Sequence, residues 1–318
     1  MRGRSAQVKK KKMTPIEFWK NWRLGTELRI SGIFIYNGIY CYDQIEHFIY
    51  EEEIFEFLYN ISVGLERLQK IALILLEDFE KTNLENFEKK LITHSHIDLQ
   101  NRINKKVEIN LGKSHNKFLN LLTNFYKSIR YERYSVSSAY SKNNDQKKFI
   151  SFLESELDLK VSTGLIGYTE NDRKIKMYIG KLIGKIINQL YDVITMECNK
   201  LNIHTNEMRL KSKAYKIFIK KQFDFENDKI IQKEMLLYLL KKKNSKSFKT
   251  YLENLPSLKL GEFDTNEYID HILDFHKKDS SYEVENQYEE MNEVGKRLKA
   301  IKVLGDPRIY IDSLLEEE

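Results

Sequence analysis

The sequence predicts an all-α fold: an antiparallel helical bundle of about eight or more helices, with one small N-terminal β-hairpin. Long stretches place apolar residues three and four positions apart, the period of a helix that buries one face. Pro and Gly are scarce, 3 and 13 in 318 residues, which disfavours a turn-rich sandwich or barrel. The 17 Phe and 19 Tyr carry enough buriable surface for a packed core.

Along the chain, residues 1–13 are expected to form a basic, disordered arm. Thr14 is placed to cap a short helix over 14–27, with Pro15 in its first turn. Residues 33–42 (IFIYNGIYCY) set aromatic and β-branched runs on either side of Asn37-Gly38, a short-range hairpin signal. From Gln44 to about Glu80 the period turns helical through Phe55, Leu58, Ser62, Leu65, Leu68, Ile71 and Leu75. A second helix is expected from near Asn83 through Phe87, Leu91 and His94, with a break over 102–113. A third runs from Ser114 past Arg133, a loop covers 137–146, and a shorter helix covers 147–157. Residues 158–172 hold Gly164 and Gly167 and end in Asn171-Asp172, so they read as a long loop closed by a helix cap.

The longest helix is expected over 173–201, on the stripe Ile175, Ile179, Leu182, Ile186, Leu190, Ile194 and Cys198. On it Gly180 and Gly184 are spaced for a close packing approach. Further helices are expected over 205–222, 229–242 and 244–253, and one or two exposed acidic helices over 265–304. The resulting organisation is the arm, an N-terminal helix and hairpin (14–43), a bundle (44–255) and an acidic helical extension (256–318).

The formal charge is +6, and residues 1–12 carry six basic and no acidic side chains, so the remainder balances at 47 against 47. A uniformly basic coat for nucleic acid is thereby excluded. The balance is patchy, however: 101–148 hold 11 basic and 3 acidic residues and 199–249 hold 14 and 5, whereas 40–90 and 262–293 are acidic. The segments either neutralise each other across the fold or bring two basic stretches to one phosphate-attracting cleft. Cys41 and Cys198, the only cysteines, cannot build a disulfide framework and read as packing residues. No apolar run reaches the roughly 18 residues of a membrane span, and no signal peptide is evident. The expectation is a cytoplasmic protein without membrane partners.

No phosphate-binding glycine loop, nucleophile elbow, H-E-x-x-H or C-x-x-C occurs, so neither a cofactor nor a metal site is expected. Two constellations remain. In Tyr126-Lys-Ser-Ile-Arg130-Tyr131-Glu132-Arg133-Tyr134, helical spacing puts Tyr126, Arg130, Arg133 and Tyr134 near one face. Arg is shaped for phosphate, and Tyr126, Tyr131 or Tyr134 can stack on a base or supply a hydroxyl. An Arg–carboxylate network is the competing reading. The second is His204 with Glu207, followed by Arg209 and Lys211. If Thr205 or Asn206 caps the next helix, the dipole lowers the pKa of His204 and suits it to acid–base work; the competing reading is a simple capping turn. His115 is a further candidate contact. His94 and His96, two apart on one helix, would point in different directions.

Residues 55–77 (FEFLYNISVGLERLQKIALILLE), 115–134 (HNKFLNLLTNFYKSIRYERY) and 199–218 (NKLNIHTNEMRLKSKAYKIF) together resemble helices of the HEPN superfamily, over about residues 45–220. The resemblance implies a helical bundle, commonly dimeric. It also implies, in many members, a metal-independent RNase of toxin–antitoxin or antiphage-defence systems, with an antitoxin or defence protein as partner. Those RNases use R-x(4–6)-H: the Arg holds phosphate and the His activates the ribose 2′-OH. Here no Arg is followed by His at that spacing. Arg130 and Arg133 match the Arg half, so the His must come from another helix, His204 or His115. The expected function is thus RNA engagement, with Arg130, Arg133, His204 and Glu207 as the catalytic set and Tyr126, Tyr131, Tyr134, Arg209, Lys211 and His115 as RNA contacts. The alternatives are a non-catalytic binding or assembly module, or a nucleotide-binding regulator whose 158–172 loop closes over phosphate.

Overall fold

Thr14 opens the first helix with a capping box. Its hydroxyl accepts from the Glu17 N–H at 3.2 Å, and the Glu17 carboxylate accepts from the Thr14 N–H at 2.7 Å, which satisfies two of the donors a helix start leaves open. The computed structural model describes residues 13–77, 84–129, 136, 144–164, 166–241, 251, 253, 255–273 and 279–304. Among these the secondary structure is helical, apart from one isolated bridge between His47 and Glu170. The expected arm over 1–13 lies, but for Met13, outside the described residues.

The chain does not turn back after its first helix. α1 (Pro15–Phe18) passes through a π-helical turn, Trp19–Arg23, into α2 (Leu24–Gln44). The expected hairpin over 33–42 is therefore corrected: Asn37 and Gly38 lie inside α2. The physical reason is the burial period. Leu28, Ser31, Gly32, Ile35, Gly38, Ile39 and Tyr42 are buried at helical spacing, and the packing gained overrides the local β preference. Gly38 serves close packing in place of a turn. A Cβ there would sit 2.7 Å from Ile61 Cδ1, and one on Gly64 would sit 2.7 Å from Ile35 Cγ1. These glycines bring α2 against α3 (Glu51–Leu76), and Ser31 Oγ donates to the Gly64 carbonyl at 2.7 Å across the seam. Gly38 opposite Ile61, Ile35 opposite Gly64 and Glu27 paired with Arg67 fix the two helices as antiparallel.

α3 is the central helix. From Ile61 to Leu75 it is buried on nearly every side, as expected of a helix enclosed by neighbours. α4 (Leu84–Leu91) and α5 (His96–Asn104) follow, separated by residues 92–95, with Ser95 capping α5. The helix expected to run through His94 is thus two helices. α6 (Lys113–Asn124) continues into a second π-helical turn, Phe125–Ile129. α7 (Asp145–Leu157) is capped by Asn144, and α8 (Arg173–Leu201) by Asp172. α3 packs against α2, α5, α6, α7 and α8.

α8 has the expected bounds. Its Gly180 and Gly184 face no helix, however, but the segment at Phe223: a Cβ on Gly180 would sit 2.4 Å from the Phe223 carbonyl oxygen, and one on Gly184 2.7 Å from its ring. The helix expected over 205–222 shrinks to α9 (Lys213–Phe218), capped by Ser212. Residues 203–212 form an irregular connection because Thr205 is buried there, its hydroxyl donating to the Lys20 carbonyl.

The chain divides into two units at Phe225/Glu226; the boundary read from composition was at 255/256. The second unit holds α10 (Glu226–Lys241), α11 (Thr265–Leu273), α12 (Asp279–Glu289) and α13 (Val294–Ile301). Within it, the Glu283 carboxylate accepts from the Gly261 N–H and the Tyr268 hydroxyl, each at 2.5 Å, tying α12 to the chain before and within α11. The expected 244–253 helix and the Gly305-Asp306-Pro307 stop lie, in the main, outside the described residues.

Gly32 is the tightest test of the α2–α9 contact. A Cβ there would meet Ala214 Cβ at 2.6 Å and its Cα at 2.7 Å, and backbone cannot rotate aside. Gly32→Ala is expected to cost about 1–3 kcal/mol in urea unfolding. Gly112→Ala, whose Cβ would meet only His115 Nδ1 at 3.6 Å, should change the midpoint far less.

Candidate functional site

Inside the apolar surface of α3 runs a polar stripe. Ser62, Glu66 and Gln69 fall at i, i+4 and i+7, hence on one face, and all three are buried. A carboxylate in such a place costs several kcal/mol unless it is paired. Glu66 is paired twice: Oε1 accepts from Lys70 Nζ at 2.6 Å, and Oε2 faces His94 Nδ1 at 2.9 Å. Because Nδ1 meets a carboxylate, it carries the proton there, and Nε2 is left as the basic nitrogen. His94 lies in the 92–95 connection, with its side chain 48% exposed, so that nitrogen has a path to solvent.

Beside Glu66 the helices border a cavity of about 300 Å³. Trp19, Leu24, Glu66, Lys70 and Tyr126 are among its lining residues, and Arg67 and Glu27, both partly exposed and ion-paired to each other, line it too. Tyr126 is buried and packs edge-on against His94 with ring centroids 4.9 Å apart. Behind the cavity, His96 is fully buried. Its Nδ1 faces Gln69 Oε1 at 3.2 Å while Gln69 Nε2 donates to the His96 carbonyl at 3.0 Å. His94 and His96 thus both reach α3, at Glu66 and Gln69, because the helix break between them frees the chain from the divergent directions of one continuous helix.

The residues singled out from the sequence are scattered. Tyr126 lines the cavity. Arg130, Tyr131, Arg133 and Tyr134 lie outside the described residues. His204 Nδ1 lies 3.1 Å from Glu207 Oε1, with the side chains 70% and 74% exposed, so the pair is a surface feature with no enclosing walls. His204 does not stand at a helix N-terminus, since α9 starts only at Lys213; the dipole argument for it is thereby corrected. Its backbone N–H donates to Asn21 Oδ1 at 3.2 Å. The 204–205 loop and the cavity of Tyr126 are therefore both tied to the stretch from Trp19 to Glu27. Arg209 and Lys211 are exposed in the same loop. His115, on α6, has its pKa held below the usual value by burial and then by the nearby charge of Lys185. The 158–172 loop is fastened to the α2–α3 connection: Asn171 N–H donates to the Glu46 carbonyl at 2.8 Å, and its side-chain amide donates to the carbonyls of Tyr42 and Ile45.

Glu66 and Lys70 were the residues that sequence reasoning missed, while His94 was only a lesser candidate there. The signal was present in Glu66-Arg67-Leu68-Gln69-Lys70, a polar cluster in the otherwise apolar second half of the helix. The cysteines carry no comparable chemistry. Burial, then a hydrogen bond with Glu56, pushes the Cys41 thiol up to about 12, and burial raises Cys198 as well; neither is a ready thiolate. Among the described residues, no group of three or more His, Cys, Asp or Glu side chains is placed to hold a metal ion, and no helix is long and apolar enough to cross a membrane.

Fold and site together define an all-α helical bundle with a carboxylate-oriented imidazole beside a partly enclosed cavity. No family model, no curated protein and no solved structure matches the chain.

Burial pushes His96 from 6.5 down to about 4. Between those values the unfolded chain holds a proton that the native state does not, so this contribution to stability is complete above pH 6.5 and is lost as the pH falls towards 4. The slope approaches 1.4 kcal/mol per pH unit, by about one proton. His96→Gln is expected to flatten the change in urea midpoint between pH 7 and pH 4.5.

Proposed function

We propose that this protein is a HEPN-like, RNA-engaging helical protein that cleaves RNA without a metal ion, in an antiphage-defence or toxin setting, and that Glu66 and His94 form its acid–base pair. The observation that carries the reading is the Glu66 Oε2–His94 Nδ1 contact of 2.9 Å. It lies beside a cavity whose wall includes Tyr126, four residues before Arg130. The exposed His204–Glu207 pair has the same groups without a buried carboxylate: the Glu207 side chain is 74% exposed where that of Glu66 is 10%.

In this mechanism His94 Nε2 takes the proton from a ribose 2′-OH, and Glu66 stabilises the imidazolium that results, the role a buried carboxylate plays beside a catalytic His. The 2′-oxygen attacks phosphorus, the bond to the 5′-oxygen breaks, and the proton passes from His94 to that leaving oxygen. The products are a 2′,3′-cyclic phosphate and a 5′-hydroxyl. Lys70 and the Arg130–Arg133 stretch supply positive charge for the phosphorane, and Tyr126 offers an aromatic surface. A homodimer and an antitoxin or defence-system partner belong to the same proposal.

One observation favours a second reading, a non-catalytic module. Both acids of the cavity are already engaged, Glu66 with Lys70 and His94 and Glu27 with Arg67, so the cluster also works as a network that ties α3 to its neighbours.

Incubating the full chain with labelled RNA in EDTA separates these. The enzymatic reading expects cleavage that falls about 100-fold or more in His94→Ala and is lost in Arg130→Ala, with His204→Ala close to the parent. Cleavage lost in His204→Ala but retained in His94→Ala moves the acid–base work to the surface pair. No cleavage by the folded parent chain supports the module.

A further inference from the structure

A second, larger concavity lies on the first unit, about 440 Å³ between the middle of α8 and the segment 221–225. It exists because Gly180 and Gly184 let Phe223 lie directly on the helix; Phe223 is itself buried and serves as the floor anchor. Beyond the glycines, α8 presents Lys181 and Lys185 to this groove, one turn apart, followed by Asn188 and Gln189. Lys221 completes the lining from the opposite side, together with Asp224.

The charges are not balanced. Lys221 has Asp192 at 3.3 Å, whereas Lys181 and Lys185 are exposed and hold no ion pair among the described residues. Lys185 also acts on His115 of α6, depressing its pKa after the effect of burial. Two lysines four residues apart on a helix repel each other, and an anion between them relieves that repulsion. Asn188 and Gln189 close the far end of the groove, and Gln189 Nε2 donates to the Asn110 carbonyl at 3.1 Å. A ligand that answers the lysine pair carries negative charge at one end and a body that fills the rest of the groove over Phe223.

We infer that the groove between α8 and residues 221–225 binds a phosphorylated small molecule of nucleotide size, its phosphate on Lys181 and Lys185 and its body over Phe223 towards Asn188 and Gln189. The volume lies within the range of small-ligand sites, roughly 300–1,000 Å³. The groove is lined by residues other than those of the Glu66–His94 cavity, and the inference does not depend on RNA cleavage. It also answers the charge question differently from composition. The basic segments 101–148 and 199–249 contribute His115 nearby and Lys221, but the leading cations come from α8, where they sit among apolar residues.

The test is calorimetric titration of the full chain with ATP, AMP, adenosine and inorganic phosphate. Lys181→Ala/Lys185→Ala and Asn188→Asp are the variants, and Lys147→Ala/Lys148→Ala on α7 is the charge-matched control. The expected result is that at least one nucleotide binds more tightly than either adenosine or phosphate alone. Its Kd should rise about tenfold or more in the α8 lysine variant and in Asn188→Asp, and stay unchanged in the control. Circular dichroism and melting temperature show that the variants fold. Three results overturn the assignment: no nucleotide binding at 1 mM on the order of physiological levels, an equal loss in the α7 control, or inorganic phosphate binding as tightly as the nucleotides.

Discussion

A carboxylate buried in the middle of the central helix is the constraint around which the first unit is arranged. Glu66 sits on α3 where nearly every neighbour is apolar, and a charge in such a place persists only when it is compensated. Lys70 comes from the next turn of the same helix, so it requires nothing of the fold. His94 does: the chain between α4 and α5 has to break and drop a non-helical residue onto α3. That break separates α4 from α5, places Ser95 as the cap of α5, and seats His96 against Gln69 one turn further along. The geometry of the α4–α5 connection thus follows from the polar stripe Ser62–Glu66–Gln69.

The remainder of the packing is governed by small residues. Gly32, Gly38 and Gly64 remove the side chains that would hold α2 away from α3 and α9, and Gly180 and Gly184 do the same for the segment at Phe223. In each case the glycine faces another backbone or a rigid group, so its value is steric and not conformational. This accounts for the two concavities described above. The small one forms where polar residues interrupt the apolar surface of α3. The larger one forms where a non-helical segment, too narrow to cover α8, lies over its glycines and leaves the neighbouring lysines open.

The two imidazole–carboxylate contacts show how burial converts the same chemistry into different situations. His204–Glu207 stands in water, where the ion pair is screened and each side chain keeps its freedom. His94–Glu66 has a carboxylate that cannot turn away and a ring held edge-on against Tyr126. His96, one step deeper, is driven neutral chiefly by desolvation. An exposed carboxylate, a buried carboxylate under a half-exposed ring, and a fully buried ring separate a surface contact, a candidate acid–base group and a structural histidine.

The helical class, the cap at Thr14, the bounds of α8 and the buried character of Cys198 were legible in the residues themselves, because they depend on local period, caps and hydrophobicity. The segment 33–42 was not. Its composition favours strand, and only the burial of every third or fourth residue against α3 and α9 makes it helix. Nor was the site legible: Glu66 and His94 are 28 residues apart, and their meeting depends on the break at 92–95, which no local pattern announces. Period and caps are properties of neighbouring residues, so sequence determines them; which polar groups end up sharing one enclosed space depends on the packing of distant helices, so only the tertiary structure decides it.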